Sequence, residues 1–285
     1  MQKDRPVLKR IRKNVPEIIV TKVKNILPSI YLIVVANTKE ATIGKGCKRD
    51  IKAIRNLFKK LSGFMHIQLN ENLIQGDRYS QQTIMKAIND IKPKKNDCIV
   101  FYYSGHGFSY EKEKSQKFPQ MDFRSNPADN KIEVINANTK NVFEIYELIK
   151  AKGARLNLVI ADCCNSLIAY KRLDKSRGKV IEEKILPVNL DFCMKLFNGI
   201  GASVLVAAAK KGQYAISDDG IGSLFTYSLL KKIKDQVNSS TPIRNMSWDN
   251  LLKLAKIETL KSSAEYDNGE GEPSKQEAIF MVEKK

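Results

Sequence analysis

The stretch Ala161-Asp162-Cys163-Cys164-Asn165-Ser166 decides how this chain is read. It follows an apolar run, residues 156–160, whose length and composition predict a buried strand, so the adjacent cysteines fall where that strand ends. A second run, residues 98–103, ends the same way on Ser104-Gly105-His106-Gly107. In an open α/β sheet the ligand site lies off the carboxyl ends of the parallel strands. A thiol at one strand end and an imidazole at another then face one crevice, which is what a cysteine nucleophile needs from its base.

The flanking segments alternate between strand and helix. Residues 30–36 are strongly β-favouring, and residues 37–45 form a loop. Ile51, Ile54, Leu57, Phe58 and Leu61 recur at helical spacing over residues 46–61. A second strand is expected at residues 65–69. A further helix starts at Ser80, runs through Ile84, Ile88 and Ile91, and ends before Pro93. This β-α-β-α-β order predicts right-handed crossovers and a parallel sheet. Residues 108–139 read as a long polar loop broken by Pro119 and Pro127. Then come a helix at 142–150 with Ile145, Leu148 and Ile149 inward, a helix at 188–197 and a strand at 202–207. A turn at Gly220 and Gly222 leads to helices at 225–233 and 248–260 and an edge strand at 278–282. The expected fold class is α/β, with a mostly parallel central sheet of about six strands and helices on both faces.

Composition narrows the function classes. The 285 residues, 42% of them hydrophobic, suffice for one large α/β unit. No run approaches the roughly 18 consecutive apolar residues of a membrane-spanning helix, so a soluble protein with no membrane partner is expected. The net charge of +18 is spread along the chain without a nucleic-acid motif, and no specific nucleic acid is expected. The five cysteines are odd in number and sparse, which argues for free thiols rather than a disulfide framework. Residues 1–13 are charged and lack the apolar core of a secretory signal; the cytoplasm is the default compartment, with secretion as the alternative. Residues 1–29 hold eight basic and two acidic side chains and read as a basic N-terminal extension, with a weakly amphipathic stretch at 15–26.

There are only two histidines. His66 falls in the expected strand at 65–69 and reads as structural. His106 lies between two glycines past a buried strand, where the backbone can approach a ligand closely and the Gly107 N–H can meet a developing oxyanion. Cys163 and Cys164 diverge as neighbours must, so one belongs to the core and the other to the crevice; spacing alone does not choose. Adjacent cysteines with one histidine do not fit the spaced pairs of a zinc site.

Tyr102-Tyr103-Ser104-Gly105-His106-Gly107 followed by Asp162-Cys163-Cys164-Asn165-Ser166 resembles the paired signatures of the caspase-like cysteine peptidases. The match is nearest to the metacaspase and bacterial orthocaspase branch, with its Y-S-G-H-G and D-x-C-x-S motifs. The resemblance implies a caspase-like fold, Cys164 as nucleophile, His106 as its partner, and the N–H groups of Gly107 and Cys164 as oxyanion donors. It spans residues 30–233 or so. It divides the chain into a large-subunit-like part at 30–168, a basic linker at 169–187 and a small-subunit-like part at 188–285.

A third signature, Gly46-Cys47-Lys48-Arg49-Asp50, matches the early G-C-x-x-D of the same branch. There the resemblance implies that Cys47, Asp50, Ser104 and Asp162 line the specificity pocket. Two carboxylates converging in a concave site attract Arg or Lys and repel Asp. Polypeptides with Arg or Lys before the scissile bond are therefore the expected partners. Taken singly, Asp50 could instead complement its own helix N-terminus, and Asp162 could cap a strand end. The chain departs from the branch at Asn165, where many relatives have His, and at Leu167, where Gly is common. Its acidic residues Asp122, Asp129 and Glu133 are scattered rather than clustered, which argues against calcium activation. No cofactor is expected, and a monomer is. The linker residues Lys171, Arg172, Lys175, Arg177 and Lys179 match the pocket's charge and mark an expected self-cleavage site. The alternative function is a catalytically silent caspase-like scaffold.

Overall fold

A computed structural model of the chain describes residues 28–124, 129, 131–167, 189–239, 246–268 and 270–285. The amphipathic stretch at 15–26 and the linker residues Lys171, Arg172, Lys175, Arg177 and Lys179 lie outside the described residues.

The central sheet has six strands. In chain order they are β1 (Ser29–Ala36), β2 (Gln68–Ile74), β3 (Cys98–Ser104), β7 (Leu156–Asp162), β8 (Ala202–Ala207) and β11 (Ile279–Lys284). In space they run β11-β8-β7-β3-β1-β2. Every neighbouring pair is parallel except β11 with β8. A small second sheet joins β4 (Gly107–Phe108), β5 (Gln120–Asp122) and β6 (Thr139–Asn141), and β9 (Ser217–Asp218) pairs with β10 (Gly222–Ser223).

Side-chain alternation along the inner strands builds two cores. Ile30, Leu32 and Val34 of β1, Val100 and Tyr102 of β3, and Leu158 and Ile160 of β7 face one side. That side is covered by α1 (Gly44–Met65), α5 (Leu190–Asn198), α6 (Leu224–Val237) and α7 (Trp248–Ser263). Ile33, Val35, Phe101, Tyr103 and Val159 face the other, under α2 (Gln81–Asp90) and α4 (Val142–Lys150). A short α3 (Ile132–Ala137) lies on the way from β5 to β6. No helix among the described residues is long and apolar enough to cross a membrane. The expected architecture is thus the observed one.

Three local expectations change. The second strand is not at 65–69: α1 runs on to Met65, and β2 begins at Gln68. His66 ends the helix in a left-handed conformation (φ 53°), its N–H reaching back to the Gly63 and Ser62 carbonyls, so it is an exposed helix terminus rather than a strand residue. The polar stretch at 108–139 is not a bare loop, because it carries β4, β5 and α3, which are too short to show a period. In α4, Ile145 and Ile149 are buried as expected, but Leu148 is exposed and Tyr146 fills the inward place.

Candidate active site

β3 and β7 are adjacent and parallel, and their last residues, Ser104 and Asp162, are register partners. The chains stay side by side beyond the sheet: Gly105 N–H donates to the Asp162 carbonyl (3.3 Å) and Ser109 N–H to that of Ser166 (2.8 Å). His106 and Cys164, each two residues past a register partner, therefore occupy matching places at the carboxyl edge of the sheet.

The two cysteines part company as required. Cys163 is 2% exposed and joins the core formed with Tyr103 and Phe123. Cys164 is partly exposed, and its Sγ accepts the Ala215 N–H at 3.3 Å. Burial pushes the Cys164 thiol up to about 11, with the nearby Asp162 adding to the effect and the Ala215 N–H opposing it. Burial also pulls the His106 imidazole below its ordinary value, against the upward pull of the Glu40 carboxylate. Burial thus disfavours the charged form of both groups.

The backbone around His106 is held firmly. Its carbonyl accepts the Tyr103 hydroxyl (2.7 Å) and the Asp122 N–H (3.0 Å). Because Asp122 N–H bonds to the His106 carbonyl, Gly107 and Met121 are a non-hydrogen-bonded pair of the β4–β5 ladder. The Gly107 N–H therefore points away from β5, to the side on which Ser109 meets Ser166. Gly107 also admits close approach: a Cβ there would lie 2.5 Å from Cys163 Sγ and 2.7 Å from the Cys164 carbonyl oxygen.

Cys47, Asp50, Ser104 and Asp162 come together in one buried cluster, each no more than 3% exposed. Cys47 Sγ lies 3.4 Å from the Ser104 carbonyl, and Ser104 Oγ donates to Asp50 Oδ2 at 2.7 Å. Neither carboxylate serves the element suggested for it in isolation. Both face the N-terminus of α6 instead. Asp50 receives the Ser223 N–H (2.8 Å) and hydroxyl (2.6 Å), and Asp162 Oδ2 receives the Thr226 N–H (2.9 Å) and hydroxyl (2.6 Å). Helix N-termini favour negative charge, so α6 gathers the two acids. Gly222, at φ +84°, leaves room for Asp50 where a Cβ would collide with it. Asp162 Oδ1 is buried with no hydrogen-bond partner. Burial raises Asp50 to about 6, despite its hydrogen bonds. Burial and then the Asp50 charge raise Asp162 to about 8.

Sequence reasoning missed four contributors. Ser223 and Thr226 carry the Ser-x-x-Thr spacing of a helix start behind a glycine, which was a usable signal. Ala215 acts through its backbone and left none. Glu40 sits in the loop after β1, at the same sheet edge as the other site residues, with Oε2 3.6 Å from His106 Nε2. Asn165, the residue that departs from the family pattern, is fully buried and ties loops together through the carbonyls of Lys117 (2.9 Å) and Ala209 (3.1 Å). Asp122 forms a buried ion pair with Arg124 (2.7 Å). No group of three or more His, Cys, Asp or Glu side chains placed to hold a metal occurs among the described residues.

The model of the Caspase domain family matches residues 32–256. Among solved structures, caspase-1 from Spodoptera frugiperda superposes with a TM-score of 0.54 at 11% identity, covering 90% of this chain and 86% of that one. The two share the fold. No sequence among curated proteins matches the chain.

Proposed function

The chain belongs to the caspase-domain family of cysteine peptidases, and we propose that it is an endopeptidase cutting after Arg or Lys through Cys164 and His106. A basic side chain of the substrate enters the cluster of Cys47, Asp50, Ser104 and Asp162. The scissile carbonyl oxygen rests against the N–H groups of Gly107 and Cys164. His106 takes the Sγ proton as Sγ attacks the carbonyl carbon, and the oxyanion forms at those donors. His106 then returns the proton to the departing amine as the C–N bond breaks, leaving a thioester. Water, deprotonated by His106, attacks the thioester; the acid departs and the thiol is restored.

The observation that carries the basic preference is the buried carboxylate pair, with Asp162 Oδ1 unpartnered. A buried acceptor left unsatisfied costs about 1–3 kcal/mol, more when charged. A guanidinium or ammonium group offers the missing donors and opposite charge. An Asp side chain would instead bring a further negative group beside Asp50.

Hydrolysis of fluorogenic peptides ending in Arg, Lys or Asp, with Cys164→Ala as control, tests this reading. Release after Arg and Lys, lost in the variant, is expected. Release after Asp alone would remove the specificity, and no release from any peptide would favour a silent scaffold.

A further inference from the structure

Resting on that catalytic reading, we infer that Glu40 is a positioning residue for His106, fixing which ring nitrogen carries the proton. Glu40 follows β1 and is built into the turn that starts α1. Its Oε2 accepts the Thr42 N–H (2.7 Å), the Thr42 hydroxyl (2.5 Å) and the Ile43 N–H (2.7 Å), and its carbonyl accepts the Gly44 N–H (2.9 Å). The side chain is only 10% exposed, and the same Oε2 stands 3.6 Å from His106 Nε2, itself 15% exposed. A carboxylate so held cannot swing to solvent.

The chemistry follows from the charge. Its hydrogen bonds and the neighbouring imidazole hold the Glu40 carboxyl below its ordinary value, outweighing burial, the largest single influence, which acts to raise it; the group is ionised at neutral pH. A neutral imidazole beside a carboxylate places its one proton on the facing nitrogen. Nε2 is then the N–H, and Nδ1 keeps the lone pair that accepts the Cys164 thiol proton. When His106 becomes imidazolium during attack, the Glu40 charge stabilises it. Two other charged groups act here, Asp122 in the same sense and Arg124 against it. Both are untouched by substitution of Glu40.

Two variants and two measurements test this. Glu40→Gln keeps the turn's acceptor and removes the charge; Glu40→Ala removes both. In 15N-labelled protein with Cys164→Ala, the two histidines are resolved by comparison with His66→Gln. The expected spectrum has His106 protonated on Nε2, with a mixed tautomer population in Glu40→Ala and a lower titration midpoint in both Glu40 variants. In the active enzyme, kcat falls about tenfold or more in Glu40→Gln, out of the ~10²–10⁴ that a positioned base contributes, with KM little changed. The acid limb of its pH profile moves down. Thr42→Val disturbs the turn and leaves the carboxylate, so its His106 titration stays near the parent's. An unaltered tautomer and titration in folded Glu40→Gln and Glu40→Ala overturns the inference, whatever happens to kcat. The spectrum needs no turnover, so this failure is distinct from failure of the peptidase reading.

Discussion

Ser104 of β3 and Asp162 of β7 are register partners at the end of the sheet, and the next residue, Gly105, donates its N–H to the Asp162 carbonyl. That pairing turns two separate sequence motifs into one site. Each motif places its candidate catalytic residue two positions after the partner, so His106 and Cys164 leave the sheet abreast. The partners themselves point to the α1 and α6 side, where Asp50 waits. The edge that carries His106 and Cys164 and the acidic cluster thus lie two residues apart on the same two chain segments.

The divergence of the cysteines gives the first prediction. Cys164→Ala reduces peptide hydrolysis to background. Cys163→Ala keeps kcat within about threefold while lowering stability by about 1–2 kcal/mol, as a vacated core position does. Steady-state kinetics and urea unfolding on the same samples separate the two effects.

Gly107 has no room for a methyl group between Cys163 Sγ and the Cys164 carbonyl. Gly107→Ala must push the His106 strand away from the Cys164 strand. A displacement of about 1 Å at such a site costs on the order of 10²-fold in kcat. Cys163→Ala in the same chain should not restore activity, since the Cys164 backbone still obstructs. Full activity of Gly107→Ala would show that this contact is not part of the working geometry.

Much of this was legible in advance. Strand β8 was readable to the residue because a fully buried strand is a nearly unbroken apolar, β-favouring run, here opening just after Gly201. Strand β2 was not: Gln68, Asn70 and Asn72 make an edge strand look like a turn, and the apolar end of α1 lent its pattern to a false strand. Cys47, Asp50, Ser104 and Asp162 do come together, but what surrounds them could not be read from the sequence. Asp50 and Asp162 are gathered by Ser223 and Thr226, some 170 and 60 residues away in the chain, and no local spacing encodes that. Glu40 was invisible for a similar reason, because a lone acid in a loop has meaning only once the histidine it faces is in place.

The raised carboxyls make stability depend on pH. Asp50 and Asp162 bind protons more tightly in the folded chain, at about 6 and about 8, than in the unfolded one, near 4. Their contribution is fully present below about pH 4 and is lost as pH rises through 6 to 8. Asp162→Asn removes the larger share. Its melting temperature should fall less than the parent's between pH 5 and pH 8.5, by about 2–4 °C for each kcal/mol recovered. The same variant should lose its advantage on Arg peptides. A parallel decline in both proteins would contradict the buried pair's charge.

Self-processing is a separate expectation. Purified active chain, incubated and analysed by intact mass, should yield a cut after one of Lys171, Arg172, Lys175, Arg177 or Lys179. The Cys164→Ala chain should stay whole. An active chain that remains intact would contradict this expectation.

The most direct test of the account is covalent capture. A peptide chloromethyl ketone ending in Arg and its counterpart ending in Asp are each incubated with the protein at neutral pH, and the adduct is mapped by mass spectrometry. The account predicts one adduct per chain, on Cys164, from the Arg reagent, formed much faster than from the Asp reagent and suppressed by Asp162→Asn. Labelling of Cys163 in place of Cys164, or faster labelling by the Asp reagent, would contradict it.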